Sequence, residues 1–231
     1  MGKIETRALD KFFKLFKPQY VLGTTYTISL AFFESVVWPR IDRSRLKRCL
    51  LLCDRSMYGR VLQEGTAILG AGRDYWVSSV SAKRIFHPKV WLMGNEDRLA
   101  LLVGSGNLTQ SGFIGNVEMF DVADLHSGGS ERILVEDIER FLAGLLGLFG
   151  TDGGDLPKVV RELEEIRDSV SGFKSSLSES GSNDLRLLSS FDGSFATQLA
   201  EHCKPEGLLV ASPYFGRSVG GLRMLKKELS P

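Results

Sequence analysis

The length, composition and charge of the chain exclude several classes of protein. It has 231 residues, of which 43% are hydrophobic and 25% are charged, as in a folded globular protein rather than a disordered or fibrous one. Twenty-nine lysine and arginine residues against 28 aspartate and glutamate residues give a net charge of +1. No overall field therefore attracts nucleic acid or an anionic membrane, and any site for a polyanion must be local.

The cysteines and the N-terminal segment predict a reduced, cytoplasmic protein. Cys49, Cys53 and Cys203 make no disulfide framework, so we expect core thiols rather than zinc ligands. Residues 1–17 mix basic and apolar side chains but lack the apolar stretch of a signal peptide. We expect an amphipathic helix that docks on the domain, with a membrane-surface helix as the alternative. No segment has the roughly 18 consecutive apolar residues that span a bilayer, which predicts no stable membrane association.

Short apolar runs separated by turns predict an α/β fold in the first half of the chain. A strand is expected from residue 20, leading into a helix near Glu34, and residues 50–53 have the pattern of a strand buried on both faces. Four further strands are expected at 75–80, 85–93, 99–103 and 117–122. Apolar residues at three- and four-residue spacing predict a helix over 130–149 that covers one face of a mixed sheet.

The second half of the chain predicts a helical linker and the start of a second repeat. A charged helix is expected at 157–170 between polar breaks, and residues 208–215 have the pattern of a new strand. Residues 208–229 repeat in outline the pattern of residues 21–46. We therefore predict a domain at 1–150, a linker at 151–206 and the start of an incomplete second repeat at 207–231. A terminal capping element of the first domain is the alternative.

The most informative segment is His87-Pro88-Lys89, followed sixteen residues later by Ser105 in a Gly104-Ser-Gly-Asn107 turn. In a strand, His87 and Lys89 would point to the same face because side chains alternate. Pro88 cannot donate a ladder hydrogen bond, so this strand is expected at a sheet edge or at the mouth of a site.

These residue types together suit a tetrahedral phosphoryl group. Lys89, Ser105 and Asn107 can neutralise phosphoryl oxygens, while His87 can attack phosphorus or transfer a proton. Glu118, eleven residues after Asn107, can hold the far ring nitrogen of a histidine. This chemistry requires no metal and no cofactor.

The same residues resemble the signature of the phospholipase D superfamily. The segments 86–90, 102–109 and 116–118 look like its nuclease-like branch, which includes domains linked to restriction enzymes and helicases. The resemblance implies a mixed sheet flanked by helices, two such units forming one active site, and a covalent phosphohistidine with a second histidine as general acid.

Carried over to this chain, the resemblance implies specific roles. His87 would be the nucleophile or the acid, and Glu118 would orient a histidine. Phosphate would be bound by Lys89, Gly104, Ser105 and Asn107.

Two features depart from the family pattern. Gly94 stands where the pattern often has an aspartate, and neither His126 nor His202 has a lysine two residues on. The chain therefore carries half a site, which predicts a homodimer or a second His-x-Lys repeat beyond Pro231.

We predict a metal-independent phosphodiesterase, a nuclease acting on DNA or RNA. A basic cluster could contact nucleic-acid phosphates, although a solvated helix face explains it equally well: Arg43, Arg45, Lys47 and Arg48. The alternatives are a non-catalytic nucleic-acid-binding or dimerisation domain with a helicase or restriction-system partner, and a lipid phosphodiesterase.

Overall fold

A six-stranded mixed sheet forms the centre of the protein. The computed structural model describes residues 7–61, 68–83, 85–149, 156–179, 185–202 and 220–229. The strands are arranged in the order β3-β2-β1-β4-β5-β6. Their bounds are Tyr20–Thr25 (β1), Arg48–Asp54 (β2), Trp76–Val80 (β3), Val90–Gly94 (β4), Arg98–Gly104 (β5) and Phe120–His126 (β6).

Strand direction divides the sheet into two halves. β1 and β2 are parallel, as are β2 and β3, whereas β4 is antiparallel to β1 and the β4-β5 and β5-β6 pairs are also antiparallel. Parallel strands need a crossover, and the apolar run of β2 is buried along almost its whole length, as a central strand covered on both faces requires. The predicted mixed sheet flanked by helices is confirmed.

Helices cover both faces of the sheet. The α-helices described are α1 (Arg7–Phe12), α2 (Leu30–Phe32), α3 (Arg55–Val61), α4 (Arg132–Leu146), α5 (Leu156–Lys174), α6 (Phe195–His202) and α7 (Gly220–Leu229). α2 continues into a π-helical turn at Phe33–Val37 and a 3₁₀ turn at Trp38–Arg40, and a second π-helical turn spans Ser111–Gly115. No helix in the described part of the chain is long and apolar enough to cross a membrane.

Two apolar cores lie on opposite sides of the sheet. α4 and α5 pack on one face through residues such as Ile138 and Leu163, and so α5, which lies in the predicted linker, contributes to the domain core. On the other face, α1 docks through Phe12, its last residue, and the next residue, Phe13, meets Trp91 edge to face with the ring centroids 4.9 Å apart. The expectation that the N-terminal helix docks on the domain is confirmed.

Strand β4 differs from the prediction in its start and in its position. It begins at Val90 rather than at residue 85, and it lies inside the sheet between β1 and β5. Of the two predicted positions, a sheet edge or the mouth of a site, the edge is wrong. The hydroxyl of Thr24 accepts a hydrogen bond from the Val90 N–H at 3.0 Å, which diverts this backbone group from the ladder. Pro88 precedes the ladder, where its missing N–H costs nothing.

Other boundaries also differ. β6 begins at Phe120 rather than at residue 117, and helix α3 follows β2 without having been predicted. Cys49 and Cys53 are buried and free, as expected. Cys203, the strand predicted at 208–215 and the break at 151–155 lie outside the described residues.

Candidate active site

The predicted site residues lie at one end of the sheet. β1 and β2 end there at Thr25 and Asp54, and because β4 and β5 run antiparallel to their neighbours, β4 begins there and β5 ends there. The start of β6 at Phe120 pairs with Gly104 at the same end. The carboxyl ends of the central strands therefore face the His87 segment, the Gly104 turn and Glu118, which is the position that ligand sites commonly take in open sheets.

His87 and Lys89 meet although they precede the strand. The Lys89 ammonium lies 2.8 Å from Nδ1 of His87 and 3.3 Å from its carbonyl oxygen. Lys89 is 8% exposed, whereas the His87 ring lies at the surface. The ammonium also lies 3.2 Å from Nε2, so it faces both ring nitrogens, and the contact places a potential nucleophile beside a cation.

The surroundings lower the pKa of both groups. Burial, followed by the positive charge of Lys89, lowers the pKa of His87, and the carboxylate of Asp54 opposes this shift. Burial lowers the pKa of Lys89 to about 8, with Glu118 opposing. At neutral pH the site therefore holds a neutral imidazole and a charged ammonium.

Ser105 and Glu118 form a second pair in the site. The Ser105 hydroxyl donates a short hydrogen bond to the Glu118 carboxylate and accepts one from the Met119 N–H at 3.0 Å. Asn116 donates to the other Glu118 oxygen at 3.2 Å. The structure thus places Glu118 against Ser105 and Asn116, and its predicted role toward a histidine stays a prediction for an assembled site.

Asn107 is positioned by the end of β1. Its side-chain oxygen accepts a hydrogen bond from the Thr27 N–H at 3.3 Å. The buried hydroxyl of Thr25 accepts from the Leu108 N–H at 3.0 Å and donates to the Thr27 carbonyl at 2.8 Å. These bonds fix the Gly104 turn against β1 and use the acceptor end of the Asn107 amide.

A cleft gives access to the His87 segment. It has a volume of about 460 Å³, and it is bounded by His87 and Lys89 on one side and by the segment 187–191 on the other. Asp137 of α4 holds that segment through a paired hydrogen bond with Arg186 and through the Leu187 N–H. The tilted ring of Tyr26 lies 4.9 Å from the His87 ring.

The basic cluster lies at the opposite end of the sheet. Arg48 begins β2, six residues or about 20 Å of strand from Asp54 at the site end. Each member has a partner within the chain. Arg43 lies over Trp38, Arg45 pairs with Glu96, Lys47 donates to Gln19, and Arg48 pairs with Glu162 and Glu165. The structure therefore does not bring this cluster together with His87.

The described residues place one histidine in the site. His126 ends β6 at the far end of the sheet, opposite Arg98 in the β5-β6 register, and His202 contacts Arg186.

Gly94 also lies at the far end, opposite Tyr20, and a Cβ there would overlap the Tyr20 hydroxyl. Tyr20 thus explains why no aspartate stands at position 94. Within the described residues, no group of three or more histidine, cysteine, aspartate or glutamate side chains could hold a metal ion.

Comparisons with known proteins find similarity in structure alone. No family model and no curated protein matches the chain. A variant of yeast tyrosyl-DNA phosphodiesterase is similar over 71% of this chain and 36% of its own, with 10% identity and a TM-score of 0.45. This chain thus spans just over a third of the yeast structure.

Two bacterial structures are also similar. NucT from Helicobacter pylori is 13% identical, with a TM-score of 0.38, over 75% of this chain and 92% of its own. Nuc from Salmonella typhimurium, a phospholipase D family member, is 12% identical, with a TM-score of 0.35, over 52% of this chain and 74% of its own. Similar structures therefore include a phospholipase D family member. This is the superfamily that the motifs resemble, and the branch linked to restriction enzymes and helicases stays a prediction.

Sequence reasoning missed the residues that hold the predicted ones in place. Thr25, Tyr26 and Asp54 all lie at the carboxyl ends of β1 and β2. That position was the available signal, because the polar residues that follow two neighbouring parallel strands meet at one edge of the sheet.

Proposed function

We propose that this protein is a phospholipase D-type phosphodiesterase, a nuclease that cleaves DNA through a phosphohistidine on His87. The observation that supports the proposal best is the contact between His87 and Lys89, at 2.8 Å, at the end of the sheet where the Gly104 turn also lies. A neutral imidazole beside a buried cation is suited to nucleophilic attack on an anionic phosphodiester.

Lys89 has two roles in the proposed reaction. In the free site its ammonium lies 2.8 Å from Nδ1 and 3.2 Å from Nε2 of His87, and an incoming phosphate offers it stronger, charged acceptors. When Lys89 turns to the phosphoryl oxygens, it leaves the imidazole free to attack phosphorus. The hydroxyl of Ser105 and the amide of Asn107 would donate to the same oxygens.

The bond changes require a second acid. As the bond from the His87 nitrogen to phosphorus forms, the bond from phosphorus to the leaving oxygen breaks, and that oxygen takes a proton. We assign this proton to a second histidine, from another copy of the chain or from a further repeat. Water then attacks phosphorus and gives a proton back to the second histidine, the nitrogen-phosphorus bond breaks and His87 is regenerated.

Cleavage of a labelled single-stranded and a duplex DNA, with and without EDTA, tests the proposal. We expect cleavage to survive EDTA, because Lys89 supplies the charge that a metal would otherwise provide. His87→Ala should abolish it, and His126→Ala, altered at the far end of β6, should cleave like the parent. Cleavage that is lost in EDTA and restored by magnesium, or that survives His87→Ala, contradicts the mechanism.

A lipid phosphodiesterase is the second candidate, because apolar side chains are exposed beside the site. Val117 and Met119, the neighbours of Glu118, are 80% and 79% exposed. Vesicles of phosphatidylcholine, assayed beside the DNA substrates, distinguish the two: choline release without DNA cleavage would replace the nuclease proposal.

A further inference from the structure

Asp54 connects the two elements that hold the His87 ring. It ends β2, and its side chain is buried, with the residue 6% exposed. One carboxylate oxygen accepts the Phe86 N–H at 2.8 Å, immediately before His87. Its own backbone N–H donates to the carbonyl of Tyr26 at 3.3 Å.

The two elements contact opposite parts of the same histidine. Phe86 supplies the backbone that leads into His87, and the Tyr26 ring lies 4.9 Å from the imidazole. Asp54 bonds to both, through its buried carboxylate to the Phe86 N–H and through its backbone N–H to the Tyr26 carbonyl, and therefore fixes where the ring sits. The segment 85–89 has no strand ladder of its own, so this hydrogen bond is one of the few anchors that it has.

We propose that Asp54 is a positioning residue for His87, setting the place of the imidazole through Phe86 and its protonation through the carboxylate charge. The proposal rests on the proposed role of His87 as nucleophile. Asp54 itself touches no substrate atom in this scheme.

The charge of the carboxylate is secured by its hydrogen bonds. Burial raises the pKa of Asp54, but hydrogen bonds from Ser56 and from the Phe86 N–H outweigh burial and hold that pKa below its usual value. Ser56 bonds to the other carboxylate oxygen, from its N–H at 2.8 Å and from its hydroxyl at 2.5 Å. These hydrogen bonds therefore favour the ionised form of the carboxylate.

Among the described residues, the charged and titratable groups around His87 are Lys89, Asp54, the Tyr26 phenol and, through Lys89, Glu118. Lys89 disfavours a charged imidazole and Asp54 favours it. Removal of the Asp54 charge should therefore lower the pKa of His87 further and leave the Lys89 effect unopposed.

Titration of the histidine ring protons by NMR tests the proposal without an activity assay. In Asp54→Asn we expect the pKa of His87 to fall by about half a unit or more, while His126 and His202 serve as internal references. The matched control is Ser56→Ala, which removes a hydrogen bond to the same carboxylate but keeps its charge and the Phe86 bond. It should leave the pKa of His87 unchanged.

A second measurement uses the unaltered protein, in case Asp54→Asn does not fold. The Phe86 amide proton should shift on acidification with the low pKa of Asp54, because its hydrogen bond weakens when the carboxylate is protonated. The proposal is overturned if the chemical shift of the Phe86 amide proton does not change with this titration, or if the pKa of His87 is equal in the parent and in Asp54→Asn. Both results are independent of cleavage, so an inactive parent would refute the proposed function and leave this test intact.

Discussion

The two lowered pKa values at His87 and Lys89 predict a bell-shaped pH dependence of kcat/KM. His87 attacks only when neutral, so activity should be present above its lowered pKa and lost as the pH falls through it. Lys89 binds phosphate only when charged, so activity should decline as the pH rises through about 8. Rates measured from pH 5 to 9.5, with circular dichroism to confirm folding, check both limbs.

A matched variant isolates the alkaline limb. Lys89→Arg keeps its charge at every pH in this range, so the part of the alkaline decline that is due to Lys89 should disappear. An alkaline decline that is equal in the parent and in Lys89→Arg would assign that limb to another group.

Burial of the Lys89 charge also predicts a stability cost at the site. The folded protein holds the pKa of Lys89 at about 8, so the charged form is disfavoured on folding, and stability should rise as the pH increases from 8 toward the unfolded value near 10.5. Lys89→Met should raise the free energy of unfolding at pH 7 by roughly 1–3 kcal/mol while abolishing cleavage.

Denaturant unfolding of parent and variant at pH 7 and at pH 10 measures this effect. The difference should shrink at the higher pH, where Lys89 is neutral in the folded protein. Lys47→Met, at an exposed position, should change stability by no more than about 0.5 kcal/mol. A destabilised Lys89→Met would show that the ammonium contributes to folding as well as to the site.

At the scale of the elements, two buried tyrosines on the sheet predict opposite effects of the same substitution. Among the buried side-chain oxygen and nitrogen atoms of the described residues, the Tyr20 hydroxyl, at the start of β1, is the one without a hydrogen-bond partner. The Tyr75 hydroxyl donates to Glu34 at 2.8 Å. Tyr20→Phe should therefore raise the free energy of unfolding by about 1 kcal/mol, and Tyr75→Phe should lower it by about 1–2 kcal/mol. Urea unfolding of both variants checks the signs, and a destabilising Tyr20→Phe contradicts the first.

The sequence predicted elements better than it predicted where they end. Six strands and helix α4 follow from local apolar spacing, and each is present. The start of β4 depends on the Thr24 hydroxyl, which is distant in sequence and accepts a hydrogen bond from the Val90 N–H. The π-helical turn at Phe33–Val37 likewise carries no period that a sequence pattern could reveal.

In the site, too, local sequence spacing predicted some features and tertiary contacts determine the others. The spacing of His87, Lys89 and Ser105 predicted which residues lie at one end of the sheet, since the first two precede β4 and Ser105 follows the antiparallel β5. The partners of these residues depend on tertiary contacts. Glu118 lies against Ser105, and Asp54 bonds to Phe86 across 32 positions of sequence, so neither contact has a local signature.

At the scale of the whole molecule, the apolar surface beside the site suggests what completes it. The described residues supply one site histidine, and a positioned acid for the leaving oxygen is typically worth about a hundredfold to ten-thousandfold in rate. Val117 and Met119 expose apolar side chains on both sides of Glu118. We predict that a second copy buries them around a two-fold axis and supplies its His87 as that acid.

We therefore expect the 231-residue chain to be active only as a dimer. Activity per chain should fall on dilution, in step with the dimer fraction measured by light scattering on the same samples. Met119→Lys should give an inactive monomer, because a charge at the centre of the apolar surface opposes its burial. Leu69→Lys is the control, since Leu69 is 72% exposed and precedes β3 at the other end of the sheet. Mixing parent with excess His87→Ala should reduce activity beyond simple dilution as mixed dimers form, whereas a monomer with full activity would show that this chain needs no second copy.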